Sequence, residues 1–314
     1  MDGAHAGTVG RLPAAAFSAG VGISTPLGRW LDRRFGLFAI GPTVLAMAII
    51  FGLPLVFSLF LSFRGWSIDQ SLFAGRLVGF ANYHDLLTDP EFVASLVRTL
   101  AYTLAVVAVE LVLGLAIALL LNLDLPGIGL FRTALIIPMM MTPIVAALCW
   151  KLLLDPQNGI INYLIGAPVL WLGDPVLAML SVSVVNIWQH VPYVAVLLLA
   201  GLRSLPHEPS EAASIDGASR LQIFLHVTLP LLQGHILVAL LLRTIFEFRS
   251  FENVYVMTGG GPANATQLLS IFTYTVSFVQ FDLSLGAAAA WLMLLISLVM
   301  CVLFILALRR KDAL

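Results

Sequence analysis

Apolar residues along this chain gather into long runs that exclude charge. Residues 37–63, 175–202 and 283–308 contain no Asp, Glu, Lys or Arg. A bilayer core about 30 Å thick is crossed by about 20 residues of helix, so each run predicts a membrane span. A fourth run, 100–123, is broken only by Glu110. A fifth, 133–150, is shorter and ends at Lys151, but with Leu152 to Leu154 it still reaches across. The sixth is interrupted: residues 231–242 are apolar, then Arg243, Glu247, Arg249 and Glu252 intervene before 254–257. Residues 266–281 are also uncharged and are expected to form a peripheral or re-entrant helix. The pattern predicts an all-α, polytopic membrane protein with six transmembrane helices. A membrane domain at 37–308 lies between tails at 1–36 and 309–314.

Composition narrows the function classes. The chain is 60% apolar and 11% charged, against about 25% charged in ordinary soluble proteins. That excludes a soluble enzyme. The net charge of -1 leaves no basic excess to neutralise phosphates, which excludes nucleic acid as a partner. Cys149 and Cys301 lie in apolar runs without a CxxC pattern, so no disulfide framework or zinc site is indicated. Six spans put both termini on one side. That side collects ten of the sixteen Lys and Arg residues, so both termini are expected in the cytoplasm. The first span is too long for a signal-peptide core.

The loop between the fourth and fifth spans, within 203–232, carries the most information. An Ala-rich stretch follows Pro209 and Ser210 and stops at Gly217, the residue type that closes a helix in a left-handed turn. Ser219 and Gln222 have capping-box spacing and start a second helix. Leu221, Phe224 and Leu225 make an apolar stripe on it, and Leu229-Pro230 is expected to bend the chain toward the membrane. Helix, turn and helix form a compact cytoplasmic knob.

The string Glu211-Ala212-Ala213-Ser214-Ile215-Asp216-Gly217-Ala218, followed by Leu229-Pro230, resembles the EAA loop of permease subunits in bacterial ABC importers, in the form carried by carbohydrate-uptake permeases. Phe80-Ala81-Asn82-Tyr83 with Asp89-Pro90-Glu91-Phe92 is similar to the family's first external loop. Residues 251–262, ending Thr258-Gly259-Gly260-Gly261-Pro262, are similar to its fifth-span exit. The resemblance covers most of 37–308 and is closest to the MalF-like branch of sugar, glycerol-phosphate, trehalose and polyol permeases. Val227 and Gly234 depart from the usual pattern. The resemblance implies a type I ABC importer permease fold in the bacterial cytoplasmic (inner) membrane. It implies four kinds of partner: a second homologous permease, two ATPase subunits, an external solute-binding protein and a carbohydrate substrate. Glu211, Ala212, Ala213, Asp216 and Gly217 would then form the coupling helix that docks on the ATPase.

The chain's own chemistry agrees with a dependent subunit. A P-loop needs Gly-Lys-Ser/Thr after a Gly-rich turn, and the only lysines are Lys151 and Lys311. ATP and magnesium are therefore expected on the partner ATPase, with no cofactor or metal in this chain. Gly259 to Gly261 have no following lysine and read as a bend. The six histidines are dispersed, with no catalytic or metal-ligand spacing. Ionisable residues within spans tend to face a cavity or a partner. Arg243 and Glu247 share a helix face, with Glu252 further along that line and Arg249 to one side. Two readings stay open: a mutual salt bridge that fastens spans or the subunit interface, or a polar wall for a hydroxyl-rich ligand. Asn186, Trp188, Gln189, His190 and Tyr193 on the fourth span form a second polar and aromatic group suited to sugar recognition. Arg243 and Arg249 also leave open an anionic solute such as a glycerol phosphate or a sulfonated or phosphorylated sugar. Glu110 alone is read as structural.

Overall fold

A computed structural model of the protein describes residues 40–66, 70, 75–123 and 126–311. The tail at 1–36 and the last residues of the tail at 309–314 lie outside the described residues. The chain separates into two units, Met1–Ser58 and Leu59–Leu314. Helix α1 (Ile40–Ser62) supplies the first span and contains a π-helical segment at Ala48–Gly52. In the second unit a short antiparallel pair follows, β1 (Arg64–Gly65) and β2 (Arg76–Leu77), with Arg64 opposite Leu77. Helix α2 (Ala81–Thr88) is tied to this hairpin by Asn82, whose Nδ2 donates to the carbonyls of Ser62 and Arg64.

The second and fourth spans, α3 (Pro90–Leu121) and α7 (Pro175–Ser204), start by the same device. In each an Asp caps free N–H groups and a Pro occupies the first turn, where its missing N–H costs nothing. Asp89 accepts from Glu91 N, and Asp174 from Val176 N and Leu177 N. The two helices pack closely because α3 offers Gly114 to α7. A Cβ there would lie 2.5 Å from Val194 Cγ1. Small residues at a membrane helix contact let backbones approach, which the apolar solvent does not itself drive.

The third span differs from expectation. Instead of one helix over 133–150 there are two, α4 (Ile128–Met140) and α5 (Pro143–Leu153), bent by 97°. Pro143 is the cause. It opens α5, and the preceding Thr142 is extended (φ -66°, ψ 144°) as a residue before proline prefers. The described residues thus hold five helices long and apolar enough to cross a membrane, and six if the bent pair is one span.

After α6 (Ile160–Ile165), α7 occupies the centre, packing on α3, α4 and α5. The loop then forms α8 (Glu208–Ile215) and α9 (Arg220–Phe248). Leu229-Pro230 does not separate the second loop helix from the fifth span. The chain widens into a π turn at Phe224–Thr228 and continues as one helix, with Pro230 in the turn that follows. At the other end α9 stops at Arg249, and α10 (Glu252–Thr258) is a separate helix, so Glu252 does not continue the line of Arg243 and Glu247. The stretch read as a peripheral helix at 266–281 is α11 (Leu269–Val279), too short to cross a membrane, and α12 (Leu283–Lys311) is the last span. Both α9 and α10 also pack on α7.

Candidate functional site

Two spans bring charge together in the middle of the bundle, and a third adds a neutral partner. Arg243 of α9 reaches across to Glu110 of α3 and grips its carboxylate with two nitrogens: Nε donates to Oε2 at 2.7 Å and Nη2 to Oε1 at 2.8 Å. Nη2 also donates to Glu247 Oε2, one turn along α9, at 2.7 Å. Asn186 of α7 completes the group, its Nδ2 donating to Glu247 Oε1 at 2.8 Å and to Tyr102 Oη of α3 at 3.0 Å. Arg243, Glu110 and Glu247 are 3%, 0% and 2% exposed. In so dry a setting, removing one partner of an ion pair costs about 3–5 kcal/mol. Arg243 and Glu247 pair directly, and Arg243 holds Glu110 of α3 as well, while the edges of Arg243 and Glu247 still reach a cavity.

That cavity has a volume of about 580 Å³ and opens among α4, α5, α7, α9 and α10. Its polar wall is Asn186, His190, Tyr193, Arg243, Glu247, Arg249, Ser250, Glu252 and Asn253, with Met139, Pro143 and Phe246 as the apolar remainder. Six of the residues expected on the substrate path line it: Asn186, Tyr193, Arg243, Glu247, Arg249 and Glu252. Trp188 and Gln189 do not. Trp188 faces away and meets Trp150 edge-on at 5.5 Å. Gln189 is buried behind the wall, donating to Met141 O and accepting from Asn253 Nδ2, 3.0 Å in each case. The substrate-path proposal narrows accordingly: helical geometry turns 188 to the side opposite 186, 190 and 193, whereas 189 shares their side but is taken up by Met141 and Asn253.

Asn253, Ser250, Phe246 and the bent-pair residues Met139 and Pro143 were not anticipated. Nor was Glu110 as a member of the site. A general signal for it existed, since an acid isolated in a span invites pairing with a base on another span. Among the described residues, Asn186 Oδ1 and Asn253 Oδ1 are buried without a donor. Two amide acceptors on one wall are unusual, because buried polar atoms are nearly always satisfied.

Atoms of Glu110, His190 and Glu247 come within 4.8 Å of one another, a spacing that would suit a metal ion. The donor set argues against it. All four carboxylate oxygens already accept from Arg243 or Asn186, and a cation would have to displace a guanidinium.

The loop knob has the geometry its sequence implies. Gly217 takes φ +81°, and Ala218 N closes on Ala213 O at 3.0 Å. The capping box is complete: Ser219 N donates to Gln222 Oε1 and Gln222 N to Ser219 Oγ. Glu211, Ala212, Asp216 and Gly217 are exposed and Ala213 half-buried. Ile215, not singled out from sequence, is 87% exposed, and Leu221 and Leu225 of α9 are also exposed.

Residues 12–312 match the family described as binding-protein-dependent transport system inner membrane component. The chain is 34% identical over 265 residues to the trehalose/maltose transport system permease protein MalF of Thermococcus litoralis, covering 83% of this chain and 88% of that one. It is 32% identical over 293 residues to the sulfoquinovosyl glycerol transport system permease protein SmoG of Agrobacterium fabrum, covering 90% and 94%. Its fold is similar to a chain of a bacterial ABC transporter involved in the import of the acidic polysaccharide alginate. The TM-score is 0.77 at 20% identity, covering 91% of this chain and 99% of that chain.

Proposed function

The chain belongs to the binding-protein-dependent transport system inner membrane component family, the multi-pass permease of an ABC importer and not an enzyme, and from that premise we propose that it carries a carbohydrate or sugar derivative. The observation that supports this is the cavity wall. Amides with unpartnered oxygens, the Tyr193 ring and the Ser250 hydroxyl meet the alternating donors, acceptors and C–H faces of a sugar. Relatives named for trehalose, maltose and sulfoquinovosyl glycerol transport agree with that chemistry.

The substrate path in this proposal is Asn186, Tyr193, Arg249, Glu252 and Asn253, with Arg243 and Glu247 holding the wall in place. A second reading, an anionic sugar, has one observation in its favour. Arg243 is committed to Glu110 and Glu247, but Arg249 is exposed on the rim and no carboxylate pairs with it among the described residues. Uptake into proteoliposomes by the importer, reconstituted with its binding protein, tests both. Asn186→Ala should lower uptake of trehalose or maltose about tenfold. Arg249→Gln should abolish uptake of a sulfonated sugar and spare the neutral ones. Unchanged uptake in Asn186→Ala overturns the assignment of the wall.

The knob, through Glu211, Ala212, Ala213, Asp216 and Gly217, docks on an ATPase subunit that binds ATP and magnesium. Two such subunits, a second permease and a solute-binding protein complete the assembly. ATP-driven closure of the ATPases reorients the spans and alternates access to the cavity. The knob and both termini face the cytoplasm of a bacterial inner membrane. With Cys149 and Cys301 replaced by Ala, a cysteine at Ser214 should resist an impermeant thiol reagent in intact cells and one at Gln157 should react. The reverse pattern would invert the topology.

A further inference from the structure

One side-chain cluster has no part in the function described so far. Phe251 and Tyr255 stack with ring centroids 5.0 Å apart and planes 15° apart. Tyr274 of α11 touches both, at 5.3 and 5.0 Å, and Phe278, one turn further, lies 5.5 Å from Tyr274. Two aromatic pairs at helical i,i+4 spacing therefore face each other across α10 and α11. The row lies beside the cavity: Ser250, Glu252 and Asn253, the chain neighbours of Phe251, line it. It ends in the open, with Tyr255 39% and Phe278 61% exposed.

The exposed side chains of the long spans are mostly aliphatic, Leu104 and Val112 among them, whereas this row presents rings and brings the hydroxyls of Tyr255 and Tyr274 to 3.5 Å. A pyranose uses such a surface well: its C–H face stacks on a ring while its edge reaches a hydroxyl. We infer that Phe251, Tyr255, Tyr274 and Phe278 form a second carbohydrate subsite, continuous with the cavity, for a further sugar ring of a substrate longer than the cavity holds. The inference rests on the carbohydrate reading of the cavity.

Uptake of maltose, maltotriose and maltotetraose by the reconstituted importer tests it. Tyr255→Leu and Phe278→Leu should lower uptake of the two longer sugars about three- to tenfold relative to maltose, the worth of one ring contact. Phe278→Trp should retain it, and Asn186→Ala should lower all three alike. Equal effects of the ladder variants on every sugar, or none, overturn the subsite, as does an unaltered importer that takes up maltose but neither longer sugar. Reduced yield of the assembled importer with Phe278→Leu also overturns it, because the ring then holds a subunit contact. Refusal of all three sugars and of trehalose by the unaltered importer removes the carbohydrate reading itself.

Discussion

The cavity wall and the loop knob are the two candidate functional regions of this chain, and they are held by opposite means. The wall depends on side chains that come from three spans and find each other only in the folded bundle, such as Glu110 and Arg243, bonded at 2.7 Å across 133 positions. The knob depends on the local backbone: a left-handed glycine, a capping box and eight residues of helix. Burial makes the wall unforgiving, since each charge there relies on the others. Exposure makes the knob forgiving in stability and demanding in recognition. Substitutions should therefore separate cleanly, with the wall failing first in folding and the knob first in assembly.

Arg243→Leu should break this contrast most severely, stranding Glu110 and Glu247 against each other at a cost of about 3–5 kcal/mol. The readout is the melting temperature and yield of the purified importer. The exchange Arg243→Glu with Glu247→Arg should not rescue it, because position 243 would then set a carboxylate against Glu110. A swapped chain as stable as the original would show that Glu110 is not the anchor. On the knob, Ile215→Asp should leave melting unchanged yet lower co-purification of the ATPase at least tenfold, matching about 1.5–3 kcal/mol for an apolar side chain buried on docking. Gly114→Leu tests the scaffold common to both regions. Overpacking against Val194 should cost about 1–3 kcal/mol in stability, and Val194→Ala should recover part of it. The smallest effect expected is Ser219→Ala, about 1 kcal/mol of local helix stability, read as faster amide exchange over Arg220–Ile223 with uptake nearly intact.

The same contrast decides what the sequence makes legible. Long charge-free runs locate the spans, because the bilayer imposes length and polarity on each segment separately. Gly217, Ser219 and Gln222 specify the knob within a dozen residues. Pro143 marks the break in the third span only once its consequence for Thr142 is considered, and a hydropathy run passes over it. Glu110 is a different case. Nothing within its own span says which basic residue it meets, so its partnership with Arg243 comes from the packing of α3 on α9 and is invisible to any local pattern. Trp188 and Gln189 show the reverse case: composition groups them with the site, but Trp188 turns to the opposite side of α7 to meet Trp150 and Gln189 is engaged by Met141 and Asn253.

The continuity of α9 from Arg220 to Phe248 also has a mechanical meaning. At 1.5 Å per residue, the 27 steps from Arg220 to Glu247 span about 40 Å. Over that arm, a tilt of about 5° pivoting at the knob end would carry the Glu247 carboxylate roughly 3.5 Å, more than the length of a hydrogen bond. Because Arg243 clasps Glu110, α3 would travel with it. In the function proposed above, one helix would thus join the knob offered to the ATPase to the wall of the cavity, with a π turn near the knob end.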